Sequence, residues 1–203
     1  GYTGVVLEDD SCGLAYTFRN EMGGGCGVFG AAGKLIGMDA KEIMPWLREK
    51  DRLRAAMGLA TINALLNDPR KDWDTGNVLS AFELDSSETF GMVGEFPPIL
   101  HKVKQMTKNI YVFEQNVASE SELYPSETIP DHLPKCDVVV MTATSLINHT
   151  FDEIFPYLKN AREVCLVGPS TPLCPELLKE YNITLLAGTV VKDPKSAMEI
   201  ISQ

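Results

Sequence analysis

The chain of 203 residues is 44% hydrophobic and 23% charged, the ordinary balance of a globular protein, which excludes disordered and fibrous classes. Lys and Arg number 18 against 28 Asp and Glu, and the resulting net charge of −10 leaves no positive footprint for nucleic acid or anionic lipid. No apolar run reaches the roughly 18 to 20 residues that span a bilayer. The longest, Val138 to Ile147, is interrupted by Thr142, Thr144 and Ser145.

Gly1-Tyr2-Thr3-Gly4 leads at once into a strand-like stretch, without the basic start or apolar core of a secretory signal, and this abruptness reads as an N-terminally incomplete first domain. Thr3 to Glu8 and Leu14 to Arg19 flank the turn signal Asp9-Asp10-Ser11-Cys12-Gly13, which predicts a hairpin. The glycine-rich stretch Gly23 to Gly27 follows. Asp39 is placed to cap a helix through Glu49, with Glu42 three positions on as in a capping box. A second helix is predicted from about Asp51 to Leu66. It is apolar on nearly every face over Ala55 to Leu66, so it must be buried by its neighbours or by a second copy in a homo-oligomer. Asn63 inside it needs a hydrogen-bond partner, expected in the backbone at the junction of the two parts of the chain.

Asn67 to Asp85, carrying Pro69, Gly76 and several Asp, reads as a connection. From Thr89 the pattern changes to five short apolar strands, Phe90 to Val93, Ile110 to Phe113, Val138 to Met141, Val164 to Val167 and Ile183 to Leu186, alternating with helical segments. Such alternation predicts a parallel sheet with helical crossovers. The expected class is α/β, with a small α+β domain over residues 1–87 and a Rossmann-like parallel sheet with helices on both faces over 88–203. Cys12, Cys26, Cys136, Cys165 and Cys174 are odd in number and contain no C-x-x-C pair, which predicts free thiols in a reducing cytoplasm.

Ligands of an open parallel sheet bind outside the carboxyl ends of its strands, so the loop tips carry the candidate site. Gly94-Glu95-Phe96-Pro97-Pro98 stands after the first strand where a dinucleotide fold has G-x-G-x-x-G, which disfavours NAD and FAD. Pro97 and Pro98 suit the start of a helix. Glu114 ends the second strand, where nucleotide-binding sheets hold an acid against ribose hydroxyls. Thr142, Thr144, Asn148 and His149 crowd hydroxyls, an amide and an imidazole after the third. After the fourth, Gly168-Pro169-Ser170-Thr171-Pro172 is expected to lead into a helix, its Ser170 and Thr171 either donating to an anion or carbonyl or simply capping that helix. Gly188 and Thr189 follow the fifth strand. His101, His132 and His149 lack metal-ligand spacing. Ser170, His149 and Asp193 would supply a nucleophile, base and orienter for a hydrolase or condensing enzyme, though no G-x-S-x-G elbow exposes the serine.

Three segments carry a family resemblance: Gly58-Leu59-Ala60-Thr61-Ile62-Asn63-Ala64-Leu65, Thr142-Ala143-Thr144-Ser145-Leu146-Ile147-Asn148-His149-Thr150 and Gly168-Pro169-Ser170-Thr171-Pro172-Leu173. Together they resemble the "putative heavy-metal chelation" family. The resemblance implies an N-terminal half similar to the enolase N-terminal domain, an atypical Rossmann-like half, and a ligand cleft between them. It sets the Gly23 to Gly27 segment opposite the sheet's loops, which places the ligand site between Gly24, Gly25 and Cys26 and the rim of Glu95, Glu114, Thr144, Asn148, Ser170 and Thr171. By association it implies a pterin-like, flavin-like or siderophore-like ligand, or a metal ion, and a protein that binds or processes the chelator. Two alternatives stand beside it: a non-catalytic carrier of a metal or metal complex, and a Rossmann-like methyltransferase relative resting on Glu114 alone.

Overall fold

The computed structural model describes residues 1–19, 33–118 and 121–202. Two strands, β1 (Tyr2–Val6) and β2 (Cys12–Tyr16), pair antiparallel with Val6 opposite Cys12. The turn between them is closed by Leu7 N–H donating to Ser11 O, and Asp10 takes the left-handed conformation at φ 63° that such a turn requires. Asp39 caps as expected, its Oδ1 accepting from Lys41 N–H at 2.8 Å, but the helix it starts is short. That helix, α1 (Ala40–Ile43), passes into a 3-10 segment at Met44–Arg48, because Pro45 has no N–H to continue the α-helical ladder.

The second helix, α2 (Arg52–Leu66), begins where Asp51 Oδ1 accepts from the N–H groups of Leu53 and Arg54. Its alanines let it lie almost against the backbone of β2. A Cβ on Gly13 would run into Ala60 O and Ala64 N, so glycine is required there by space alone. Ala15, Ala55, Ala56, Leu59 and Ala60 form the core of this layer, which Ile147 of the second part completes.

The remaining strands form one parallel sheet: β3 (Phe90–Val93), β4 (Ile110–Glu114), β5 (Tyr124–Pro125), β6 (Val138–Thr142), β7 (Glu163–Val167) and β8 (Leu185–Ala187). Their spatial order is β5-β4-β3-β6-β7-β8. The sheet has six strands rather than the expected five, β5 being a two-residue edge pairing with Phe113 and Glu114 that is too short to leave an apolar run.

Helices cover both faces, and the strands divide by alternation. Val139, Met141, Val164 and Leu166 face one core with Phe151, Ile154 and Leu178. Val138, Val140, Cys165 and Val167 face the other with Ile99, Leu100 and Val103. Burial on both faces is why these strands read as unbroken apolar runs. Phe82 and Leu84, within the stretch read as a connection, belong to the second of these cores. The covering helices are α3 (Pro97–Val103), α4 (Ile129–His132), α5 (Phe151–Ile154) and α6 (Pro175–Leu178), while α7 (Pro194–Ile201) packs on the hairpin. Met198 and Ile201 of α7 turn toward the hairpin, where a Cβ on Gly4 would strike both side chains. Among the described residues no helix is long and apolar enough to cross a membrane.

Candidate functional site

From β3 the chain moves outward to β4 and β5, then crosses back to β6 and proceeds to β7 and β8 on the other side. Between β3 and β6 the connections diverge in opposite directions, and such a switch point leaves a crevice at the carboxyl edge of the sheet. A cleft of about 630 Å³ lies there. Its floor is the loops after β3, β6 and β7, and its far wall is the hairpin of the first part.

Gly94, Glu95, Glu114, Thr142, Thr144 and Asn148 all line this cleft, as do Gly168 and Ser170. Gly94 is at φ 82°, and a side chain there would meet Thr142 Cγ2 at 2.7 Å, so glycine is required both by backbone conformation and by the close approach of β6. Glu114 Oε1 accepts from Glu95 N–H at 2.5 Å and its Oε2 from Gln115 N–H at 3.3 Å. The carboxylate is therefore held by backbone, with lone pairs left for a ligand. Thr142 and Thr144 bond to each other through their hydroxyls at 2.9 Å. Asn148 Oδ1 accepts from Thr150 N–H and Oγ–H, which fixes the amide.

Other residues fall elsewhere. No helix starts at Pro172: α6 begins at Pro175 with Cys174 at its N-cap position, so Ser170 and Thr171 do not cap it. Ser170 is 1% exposed and its Oγ accepts from Tyr16 N–H at 2.8 Å, tying β2 to the sheet. Thr171 is fully buried and does not line the cleft. Its carbonyl and that of Thr189 both accept from Asn67 Nδ2, and Gly188 packs against Thr171 and Leu173. Gly24, Gly25 and Cys26 lie outside the described residues.

Ser170, His149 and Asp193 are not brought together as a triad. The His149 ring donates through Nε2 to Glu49 O at 2.8 Å, and its backbone sits at φ 63° to make that reach. Asp193 caps α7, accepting from Ser196 N–H and Oγ–H, and these bonds hold its carboxyl below the ordinary carboxylate range.

Sequence reading missed the aromatic wall. Tyr2, Tyr16 and Phe18 line the cleft from the hairpin, in edge-to-face contact at 6.1 and 5.0 Å between centroids. The alternation of Tyr16, at the end of β2, and Phe18, two residues beyond, was the available signal, but only the packing of the hairpin over the sheet turns that face inward. Glu127 and Glu153 add carboxylates to the rim, and no Lys, Arg or His lines the cleft among the described residues. Nor does any group of three or more His, Cys, Asp or Glu among the described residues have the arrangement of a metal site. Cys136, just before β6, and Cys165 of β7 are buried, and desolvation pushes both thiols up to about 12.

A family model described as "Putative heavy-metal chelation" matches residues 77–203, and a second with the same description matches residues 1–66. An uncharacterised protein of Methanocaldococcus jannaschii is 28% identical over 207 residues, covering 97% of this chain and 78% of that protein. Two solved structures titled as proteins of unknown function from the DUF364 family share the fold. The one from Desulfitobacterium hafniense has a TM-score of 0.83 at 25% identity, covering 99% of this chain and 80% of that one. The one from Pyrococcus horikoshii has a TM-score of 0.80 at 23% identity, covering 99% and 81%. With both halves matched, the chain belongs to the family described as "Putative heavy-metal chelation".

Proposed function

We propose that the chain binds a small polar chelating molecule, free or loaded with metal, in the cleft at the β3–β6 switch point, and that this molecule rather than the protein supplies the metal's ligands. The observation that carries the reading is the cleft itself. Its volume of about 630 Å³ falls within the roughly 300 to 1,000 Å³ usual for small-molecule sites, and it lies where open α/β sheets bind their ligands.

A bare heavy metal ion does not fit the described residues. Soft ions select thiolate and imidazole, and no cysteine or histidine lines the cleft among those residues. The engagement of Ser170, His149 and Asp193 in separate hydrogen bonds supports binding over nucleophilic catalysis.

Native mass spectrometry of protein purified without added chelators tests the reading. The expected result is a retained organic molecule, alone or with metal, that is absent from Thr144→Trp protein, in which the indole occupies the cleft. Retention of metal with no organic partner, or retention undiminished in the variant, overturns it.

A further inference from the structure

We infer that the cleft takes a flat cationic group that donates N–H bonds, of the amidinium or guanidinium type, and rejects anions, phosphate esters included. The inference rests on the cleft reading above and specifies the chemistry of its ligand.

Sheets of this topology usually bind anions with free N–H groups at the loop tips. In this cleft most of those groups after β3, β6 and β7 are spent or missing. After β3, Gly94 N–H donates to Phe113 O, Glu95 N–H to Glu114 Oε1 and Phe96 N–H toward Met92 Sδ, while Pro97 and Pro98 have no N–H. After β7, Gly168 N–H donates to Ala187 O, Pro169 has none, and Thr171 N–H returns to Gly168 O. After β6, Thr144 N–H goes to Thr142 Oγ, Asn148 N–H to Thr144 O, and the Ser145 hydroxyl to Thr142 O. An anion would meet neutral side-chain donors, chiefly the Gln115 and Asn148 amides, and no positive charge among the described lining residues.

Acceptors are abundant by contrast. Glu114 sits inside the cleft, with Glu95, Glu127 and Glu153 around it. The two N–H bonds from Glu95 and Gln115 fix the Glu114 carboxylate while each oxygen keeps a lone pair, the arrangement a planar donor pair engages through two parallel bonds. Opposite stands the aromatic wall, whose Phe18 ring already carries the Arg52 guanidinium at 4.8 Å; an incoming planar cation would make the same kind of contact with Tyr2 or Tyr16, since such cations favour aromatic faces over a neutral aliphatic surface. Charge, donor count and wall all select the same ligand chemistry.

Benzamidine and benzoate have the same shape and opposite charge, so the pair isolates this selection. Isothermal titration of the full chain with benzamidine, benzoate and inorganic phosphate is expected to show binding of benzamidine alone, weakened by added salt. Glu114→Gln, which keeps shape and removes charge, should weaken it about tenfold or more. Should that variant fail to fold by circular dichroism, Tyr16→Leu is expected to weaken benzamidine severalfold instead, and an unchanged affinity would count against the inference. No benzamidine binding, or benzoate or phosphate binding as tightly, overturns it. If benzoate binds and Thr144→Trp abolishes that binding, the cleft reading survives and only the charge selection falls. If benzamidine binds the Thr144→Trp protein undiminished, the cleft reading falls too.

Discussion

Asn67 joins the two parts of the chain through a single side chain. Its Nδ2 donates to Thr171 O and Thr189 O, its Oδ1 accepts from Leu173 N–H at 2.8 Å, and the residue is 1% exposed. Truncation would strand two buried backbone groups and one half-buried carbonyl, so Asn67→Ala is expected to lower stability by about 2 to 4 kcal/mol, read from urea unfolding. Sequence reasoning gave this junction role to Asn63, whose Nδ2 instead donates to Leu14 O inside the first part. Asn63 was legible as an amide inside an apolar helix that needs a partner, whereas Asn67, just past the end of α2, was read only as the start of a connection.

A second residue-scale expectation concerns Glu88, which makes a bidentate pair with Arg162 at 2.6 and 2.9 Å. The guanidinium holds its carboxyl at about 2, below the ordinary 4.5. A depressed acid stabilises the fold above its unfolded pKa, and that stability is lost as pH falls from about 4.5 through about 2. For a pair this exposed the contribution at pH 7 should not exceed about 1 kcal/mol. Glu88→Gln should therefore melt below wild type at pH 7 and converge with it near pH 2.

Thiol chemistry gives a third. Cys12, Cys136 and Cys165 are buried and Cys174 is partly exposed. Native protein treated with a thiol reagent at pH 8 should lose one rapidly reacting equivalent on Cys174→Ala substitution, while Cys136→Ala and Cys165→Ala leave the rapid phase unchanged.

At the scale of elements, the hairpin and α2 hold together through small residues. Gly13→Ala places a methyl on the backbone of α2, and the helix must move to admit it. A cost of about 1 to 3 kcal/mol is expected, measurable by thermal unfolding. The two outer layers of the sheet were readable in advance because strands buried on both faces leave continuous apolar runs, as Val138-Val139-Val140-Met141 does. What was not readable follows from local rules overriding periodicity. Pro45 converts a predicted helix to a 3-10 turn, and β5 is too brief to show a period. The β7 loop runs on to Pro175 before any helix begins, although Pro172 would have suited an earlier start.

Across the whole molecule, the sheet's share of the cleft was largely legible and the hairpin's share was not. Gly94, Glu95, Glu114, Thr144 and Asn148 follow strand ends, and topology alone assigns strand ends to a ligand edge. Tyr2, Tyr16 and Phe18 reach the cleft only through long-range contacts such as Tyr16 N–H to Ser170 Oγ, which no local pattern encodes. These contacts, with Asn67 and the His149 bond to Glu49 O, should make the two parts unfold as one. A single coincident transition by tryptophan fluorescence and far-ultraviolet circular dichroism is the expected result.

The packing of α7 on the hairpin has a consequence for synthesis. Gly4 leaves the ribosome more than about 190 residues ahead of the Met198 and Ile201 side chains that cover it. At about 5 to 20 residues per second the hairpin waits roughly 10 to 40 seconds with that face bare. A stalled chain cut short before Pro194 is therefore expected to be captured by chaperones or digested by protease more readily than one that extends past Ile201.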